Sequence, residues 1–228
     1  MICKRVLALV IVVFAPALMM IWYRAHQSTG FDSVELIVYP LLFGGAGIIL
    51  IALLKTRFLG ESLSSLSSGP GDWRTDLAWG AGLCVAYFAL FFVERSTLAG
   101  VLSSRQNTEL LGLMLDMREH PWLLIIWFGP VLWIGIALFE EMVRVFMLSE
   151  MWAFSRQTWW IIAVVVLSAA LIGLTHWSQG PYGIVTIGIK SLVAGAFFYY
   201  RRRLLPLVFA HVLYDGLQVG MLLLTYPR

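Results

Sequence analysis

Long apolar runs limit the fold of this chain more than any other feature. A helix that crosses a bilayer needs about 20 mainly apolar residues. Seven segments approach that length: 6–23, 36–54, 77–93, 122–139, 159–174, 184–200 and 204–224. In hydrocarbon, backbone N–H and C=O groups must pair within the protein, which leaves helices for runs of this kind. The expected fold is an all-α, polytopic transmembrane helix bundle of about seven spans. Only 13% of the 228 residues are charged, against roughly 25% in a soluble domain. Tryptophans and tyrosines gather near the span ends, as interfacial anchors do. The basic residues are scattered between the spans with no aromatic-basic stripe, so nucleic acid is not an expected partner. The lipid bilayer is.

The first run lacks a small-x-small cleavage site and reads as an anchor, not a signal peptide. The fourth is expected to continue as helix through Glu140 and Glu141 to about Trp152. With the N-terminus inside, the inner side holds Lys4, Arg5, Lys55, Arg57, Arg74, Arg156, Arg201, Arg202 and Arg203; the outer side holds Arg24, Arg95, Arg105, Arg118 and Arg228. That excess predicts N-inside, C-outside. The short loops and this charge pattern point to a bacterial cytoplasmic (inner) membrane. The stretch 60-GESLSSLSSGPGD-72 reads as a flexible loop. The stretch 95-RSTLAGVLSSRQNTELLGLMLDMREHP-121 has apolar residues at helical spacing between charges, which predicts an interfacial amphipathic helix. Three regions follow: an N-terminal transmembrane pair (1–60), a third span with its loop and interfacial helix (61–121), and a C-terminal core (122–228). Cys3 and Cys84 lie far apart with no CxxC, so a disulfide or metal role is not expected.

Polar residues inside spans are costly and need a reason. Three clusters stand out. Glu140, Glu141 and Arg144 sit in 137-ALFEEMVRVFML-148, with Glu140 and Arg144 four apart on one helix face. His176 lies in 172-IGLTHWSQGPYG-183, at the end of an apolar span. His211 and Asp215, again four apart, lie within the last span. Each alone fits a bland role: a packing salt bridge, an interfacial histidine, a local hydrogen bond. Together they are harder to dismiss, because two of the four histidines lie at membrane depth beside these carboxylates. Lys190, near the middle of the sixth span, either neutralises part of the acidic cluster or snorkels along its helix; a structural role is favoured. Gly188, Ser191 and Gly195 form a small-residue face suited to close helix approach.

The order of Glu-Glu, then GLTHWSQGPYG, then a small-residue helix and RRRLLPLVFAHVLYDG resembles the CAAX prenyl endopeptidase and bacteriocin-processing family (CPBP, or Abi) of intramembrane proteases. That family carries Glu-Glu-x-x-x-Arg, Phe-x-x-x-His and His-x-x-x-Asn/Asp motifs. The resemblance covers roughly residues 120–224 and makes 122–228 the CPBP/Abi-like core. Glu140 and Glu141 match the paired glutamates, His176 the second motif, and His211 and Asp215 the third. Two positions depart. The arginine stands at 144, one place early, with Val145 in its usual position, and Ile172 replaces the aromatic residue before His176.

The resemblance implies hydrolysis of a peptide or protein substrate in or at the membrane. Glu140 is the candidate base for water, since an apolar cavity raises a carboxyl pKa towards neutrality. His176 would hold or polarise that water. His211, oriented by Asp215, would donate to the oxyanion. Glu141 and Arg144 would form a supporting pair. No HExxH signature is present, so the sequence requires no cofactor. It still allows a divalent metal, for which Glu140, His176, His211 and Asp215 are legal ligands; family members are often labelled metalloproteases. None of Ser168, Ser178 and Ser191 lies in a nucleophile elbow, and Cys84 lies outside the motifs. Two rivals stand beside the protease: a non-catalytic family member serving as a membrane scaffold or bacteriocin-immunity protein, and a small proton-coupled permease.

Overall fold

A computed structural model describes residues 2–27, 32–105 and 108–226. It is all-helical among those residues. Helix α1 covers Ile2–Gln27, and α2 covers Glu35–Leu53 and widens into a π turn at Leu54–Phe58. Then come α3 (Trp73–Thr97) and the short α4 (Thr108–Asp116). Helix α5 (Pro121–Ile126) runs through a π-helical stretch, Trp127–Leu138, into α6 (Phe139–Trp152). The last three are α7 (Thr158–Thr175), α8 (Gly180–Arg201) and α9 (Leu205–Thr225).

Among the described residues, six helices are long and apolar enough to cross a membrane: Glu35–Phe58, Trp73–Thr97, Pro121–Trp152, Thr158–Thr175, Trp177–Arg201 and Leu205–Thr225. They coincide with six of the seven expected runs. The other, 6–23, lies in α1, where the side chains of residues 16, 17, 20, 21 and 23–27 fall outside the described residues. Large apolar side chains point outward, Val85, Ile125 and Leu224 among them. With no water to avoid, a lipid-facing helix has no reason to hide them. The chain is an integral, multi-pass membrane protein.

The fourth span continues to Trp152 as expected, but it is not a straight α-helix. Pro130 has no N–H to donate, and its ring crowds the preceding turn. Gly129 leaves helical geometry there (φ −85°, ψ −112°), and the ladder reforms as a wide π turn. Beyond the kink, α6 is the centre of the bundle. Val145, Phe146 and Leu148 are buried in one cluster with Ala8, Ile51 and Phe198 from α1, α2 and α8. Small residues let the backbones meet. A Cβ on Gly135 would stand 2.8 Å from the Pro40 carbonyl carbon of α2, and one on Gly173 would stand 2.5 Å from the Ile184 carbonyl oxygen of α8.

Two expected features differ. The serine-rich loop at 60–72 is docked, not free: it forms a 3-10 turn at Leu63–Ser67 with Leu66 buried. Gly69 N–H donates to the Arg202 carbonyl, Arg203 donates to the Gly69 carbonyl, and Ser67 Oγ accepts from Leu204 N–H. Polar loop groups have been used to satisfy the turn between α8 and α9. The amphipathic helix expected in 95–121 appears as α4, but it turns apolar residues towards the protein. Leu111 and Met114 line a cavity within the bundle, and Met117 just beyond is fully buried. The cavity wall offers α4 an apolar partner other than lipid.

Candidate active site

The paired glutamates open α6, and the helical rotation of about 100° per residue sends them in different directions. Glu140 lines a cavity of about 660 Å³ and is a quarter exposed to it. Glu141 is buried in the helix packing, where a lone carboxylate would be strongly disfavoured. Arg144, three residues on, supplies the answer. Its Nη1 donates to Glu141 Oε1 at 2.9 Å and Oε2 at 2.7 Å, and its Nη2 donates to Ser191 Oγ on α8 at 3.3 Å. Arg144 therefore serves Glu141, the expected supporting pair, although the four-residue spacing also put it on the face of Glu140. The side chain follows the buried charge, because i,i+3 neighbours also meet on a helix.

From α9, His211 reaches the same carboxylate. Its Nδ1 lies 2.9 Å from Glu141 Oε1. Its Nε2 lies 3.2 Å from Asp215 Oδ2 and 4.0 Å from Glu140 Oε2. Carboxylate oxygens accept, so the ring donates from both nitrogens, an arrangement suited to the imidazolium. Asp215 stands one turn along from His211, the spacing that aligns side chains on one face.

His176 stands just past the end of α7. Its Nδ1 lies 2.9 Å from the Ile172 carbonyl oxygen, which only accepts, so Nδ1 carries the hydrogen and Nε2 keeps a lone pair. Thr175 Oγ1 lies 3.1 Å from the same nitrogen. Position 172 contributes through its backbone carbonyl, which isoleucine offers as well as an aromatic residue does. The turn after His176 is tied to the loop after α3 by Arg105 N–H to the Gln179 carbonyl and Tyr182 N–H to the Ser103 carbonyl. Gly180 permits that contact: its φ is +80°, and a Cβ there would stand 2.9 Å from the Ser103 oxygen.

Glu140, Glu141, Arg144, His176, His211 and Asp215 all line the one cavity. Sequence reasoning missed Glu94 on its wall. The residue stands at the end of the third apolar run, beside Arg95, where a headgroup position was the natural reading. Lys190 was the available signal, since an ammonium within a span needs an anion, and its partner is Glu94. It does not neutralise the Glu140 cluster.

Of the four possible ligands for a metal ion, Glu140, His176, His211 and Asp215, His211 faces carboxylates with both ring nitrogens and so has no lone pair to offer it. Among the described residues, no group of three or more His, Cys, Asp or Glu is placed to hold one. Cys3 and Cys84 are free thiols.

Residues 121–217 match the family model described as Rce1-like, type II CAAX prenyl endopeptidase Rce1-like. No curated protein and no solved structure matches the chain. The matched stretch contains all six residues singled out above, and the resemblance drawn from their motifs is borne out.

Proposed function

We propose that this membrane protein, with its Rce1-like region at 121–217, is an intramembrane endopeptidase that hydrolyses a peptide bond with water activated by Glu140. The observation that carries the reading is the meeting of Glu140, His176, His211 and Asp215 from three helical elements around one cavity. Glu140 takes a proton from a water whose oxygen attacks the peptide carbonyl carbon. His176 Nε2, the free acceptor, holds the second hydrogen of that water. The carbonyl oxygen, now an oxyanion, accepts from His211 Nε2–H, which is held beside Glu140 by Asp215 and Glu141. Glu140 then returns its proton to the departing amine, and the C–N bond breaks. Every step uses groups already oriented by their neighbours, so little reorganisation is needed.

The test is a peptide library offered to purified protein in detergent. Wild type should cleave a subset of sequences, and Glu140→Gln should leave no product while keeping its thermal unfolding transition. Cleavage by Glu140→Gln at the wild-type rate would end the assignment. A scaffold would retain its phenotype in that variant, and a permease would give pH-dependent flux without peptide product.

We further place the chain in a bacterial cytoplasmic membrane with its N-terminus inside. The basic ends gather on one side of the bundle, where Arg5 and Lys55 pair with Glu61 and Glu150, and Arg203 pairs with Asp76. The cavity is lined from the other ends of the helices: the end of α3, the start of α6, the end of α7 and the start of α8. The positive-inside rule then opens the site to the outer face, away from any prenylated chain end in the cytosol. In a variant lacking Cys3 and Cys84, a cysteine replacing Arg105 should react with an impermeant maleimide on intact cells. A cysteine replacing Arg156 should react only after permeabilisation.

A further inference from the structure

One ion pair on the cavity wall takes no part in the glutamate–histidine cluster. Glu94 lies near the end of α3 and Lys190 midway along α8. The Lys190 ammonium donates to Glu94 Oε2 and, at 3.4 Å, to the Thr186 carbonyl. It stands 5.8 Å from the centre of the Tyr214 ring. Glu94 is 3% exposed, and its other oxygen, Oε1, has no hydrogen-bond partner among the described residues.

A pair that only joined α3 to α8 would be poorly chosen. Apolar residues of similar volume commonly do as well as a buried ion pair or better, and a buried oxygen without a donor adds a desolvation penalty. The charge on the ammonium is already matched, so a ligand carboxylate would arrive unpaired. What the pair still offers is one acceptor, Glu94 Oε1, and the third N–H of the ammonium. An acceptor beside a donor complements a peptide group, with its one N–H and one C=O. An extended substrate inside a membrane cavity loses water from these backbone groups and needs replacements for it.

We propose that Glu94 and Lys190 together bind a backbone amide of the substrate, Glu94 Oε1 accepting from its N–H and Lys190 donating to its C=O. The proposal rests on the peptidase reading and adds a second point of attachment that sets the peptide's register against Glu140. The ligand is an internal stretch of extended peptide, not a chain end with a free carboxylate.

The test uses the full-length protein in detergent and a terminally blocked fluorogenic peptide that it cleaves, with versions N-methylated at one backbone nitrogen each. The variant is Glu94→Leu/Lys190→Met, which removes both charges together. Its KM should rise about ten- to hundredfold, the equivalent of one or two hydrogen bonds, with a much smaller change in kcat. One N-methylated peptide should lose about tenfold with wild type, and that penalty should vanish in the double variant. An unchanged KM, or a penalty that persists in the variant, overturns the docking pair and leaves the peptidase standing. If wild type cleaves nothing, the blocked library is offered as a binding probe to Glu140→Gln, with and without the double replacement. Binding that needs the pair supports it without cleavage; binding that ignores the pair, or no binding at all, overturns it.

Discussion

Glu140 and Glu141 are chain neighbours with different work. Glu141 is locked between Arg144 and His211, while Glu140 borders the cavity. Removing one partner of a buried pair leaves the other charge stranded, at a cost of about 3–5 kcal/mol. Glu141→Gln should therefore lower stability by about 3 kcal/mol in detergent denaturation. The joint change Glu141→Leu/Arg144→Met should lower it by less than the sum of the single changes. Asp215 acts through His211. Asp215→Asn still offers an oxygen to Nε2 and should keep kcat within about tenfold. Asp215→Ala frees the ring and should lower kcat by about a hundredfold, near the loss of one oxyanion donor. The residue types and their order were legible in the motifs. So was the pairing of Arg144 with Glu141; the partner of Lys190 was not, because Glu94 comes from a distant helix and only packing brings the two together.

Among the elements, the fourth span shows what a hydropathy reading cannot. Its length and apolar character were plain from the sequence. The π-helical stretch that aims Glu140 into the cavity depends on the kink at Gly129–Pro130 and on the contact of Gly135 with α2. Gly135→Val would press a side chain against the Pro40 carbonyl. It should cost about 2–3 kcal/mol in thermal unfolding and reduce peptide turnover, because α6 would shift with it. A lipid-facing replacement such as Val85→Leu should leave both unchanged.

Across the whole molecule, the N-terminal helices are fastened to α6 by charge. Glu150, fully buried, accepts from Arg5 of α1 and from Lys55 of the π turn after α2, and both cations also reach Glu61. Partial burial would raise the Glu61 carboxyl, but Lys55 and Arg5 outweigh it and hold it below the ordinary range. A carboxyl lowered in the folded state stabilises above its unfolded pKa of about 4.3, and that contribution fades as pH falls through the folded value. Glu61→Gln should lower the unfolding temperature at pH 7, and the gap to wild type should narrow below about pH 4.

The sequence by itself determined that this chain crosses a membrane as a helical bundle, and it showed which acids and imidazoles stand out there. Apolar length and the expense of charge in hydrocarbon are local properties, readable residue by residue. Only the tertiary structure decided the long-range partnerships: His211 with Glu141, Lys190 with Glu94, Glu150 with Arg5, and a serine-rich loop docked against the α8–α9 turn. Each joins groups whose meeting depends on helix rotation and packing, and a buried charge takes whichever counter-charge that packing brings within reach.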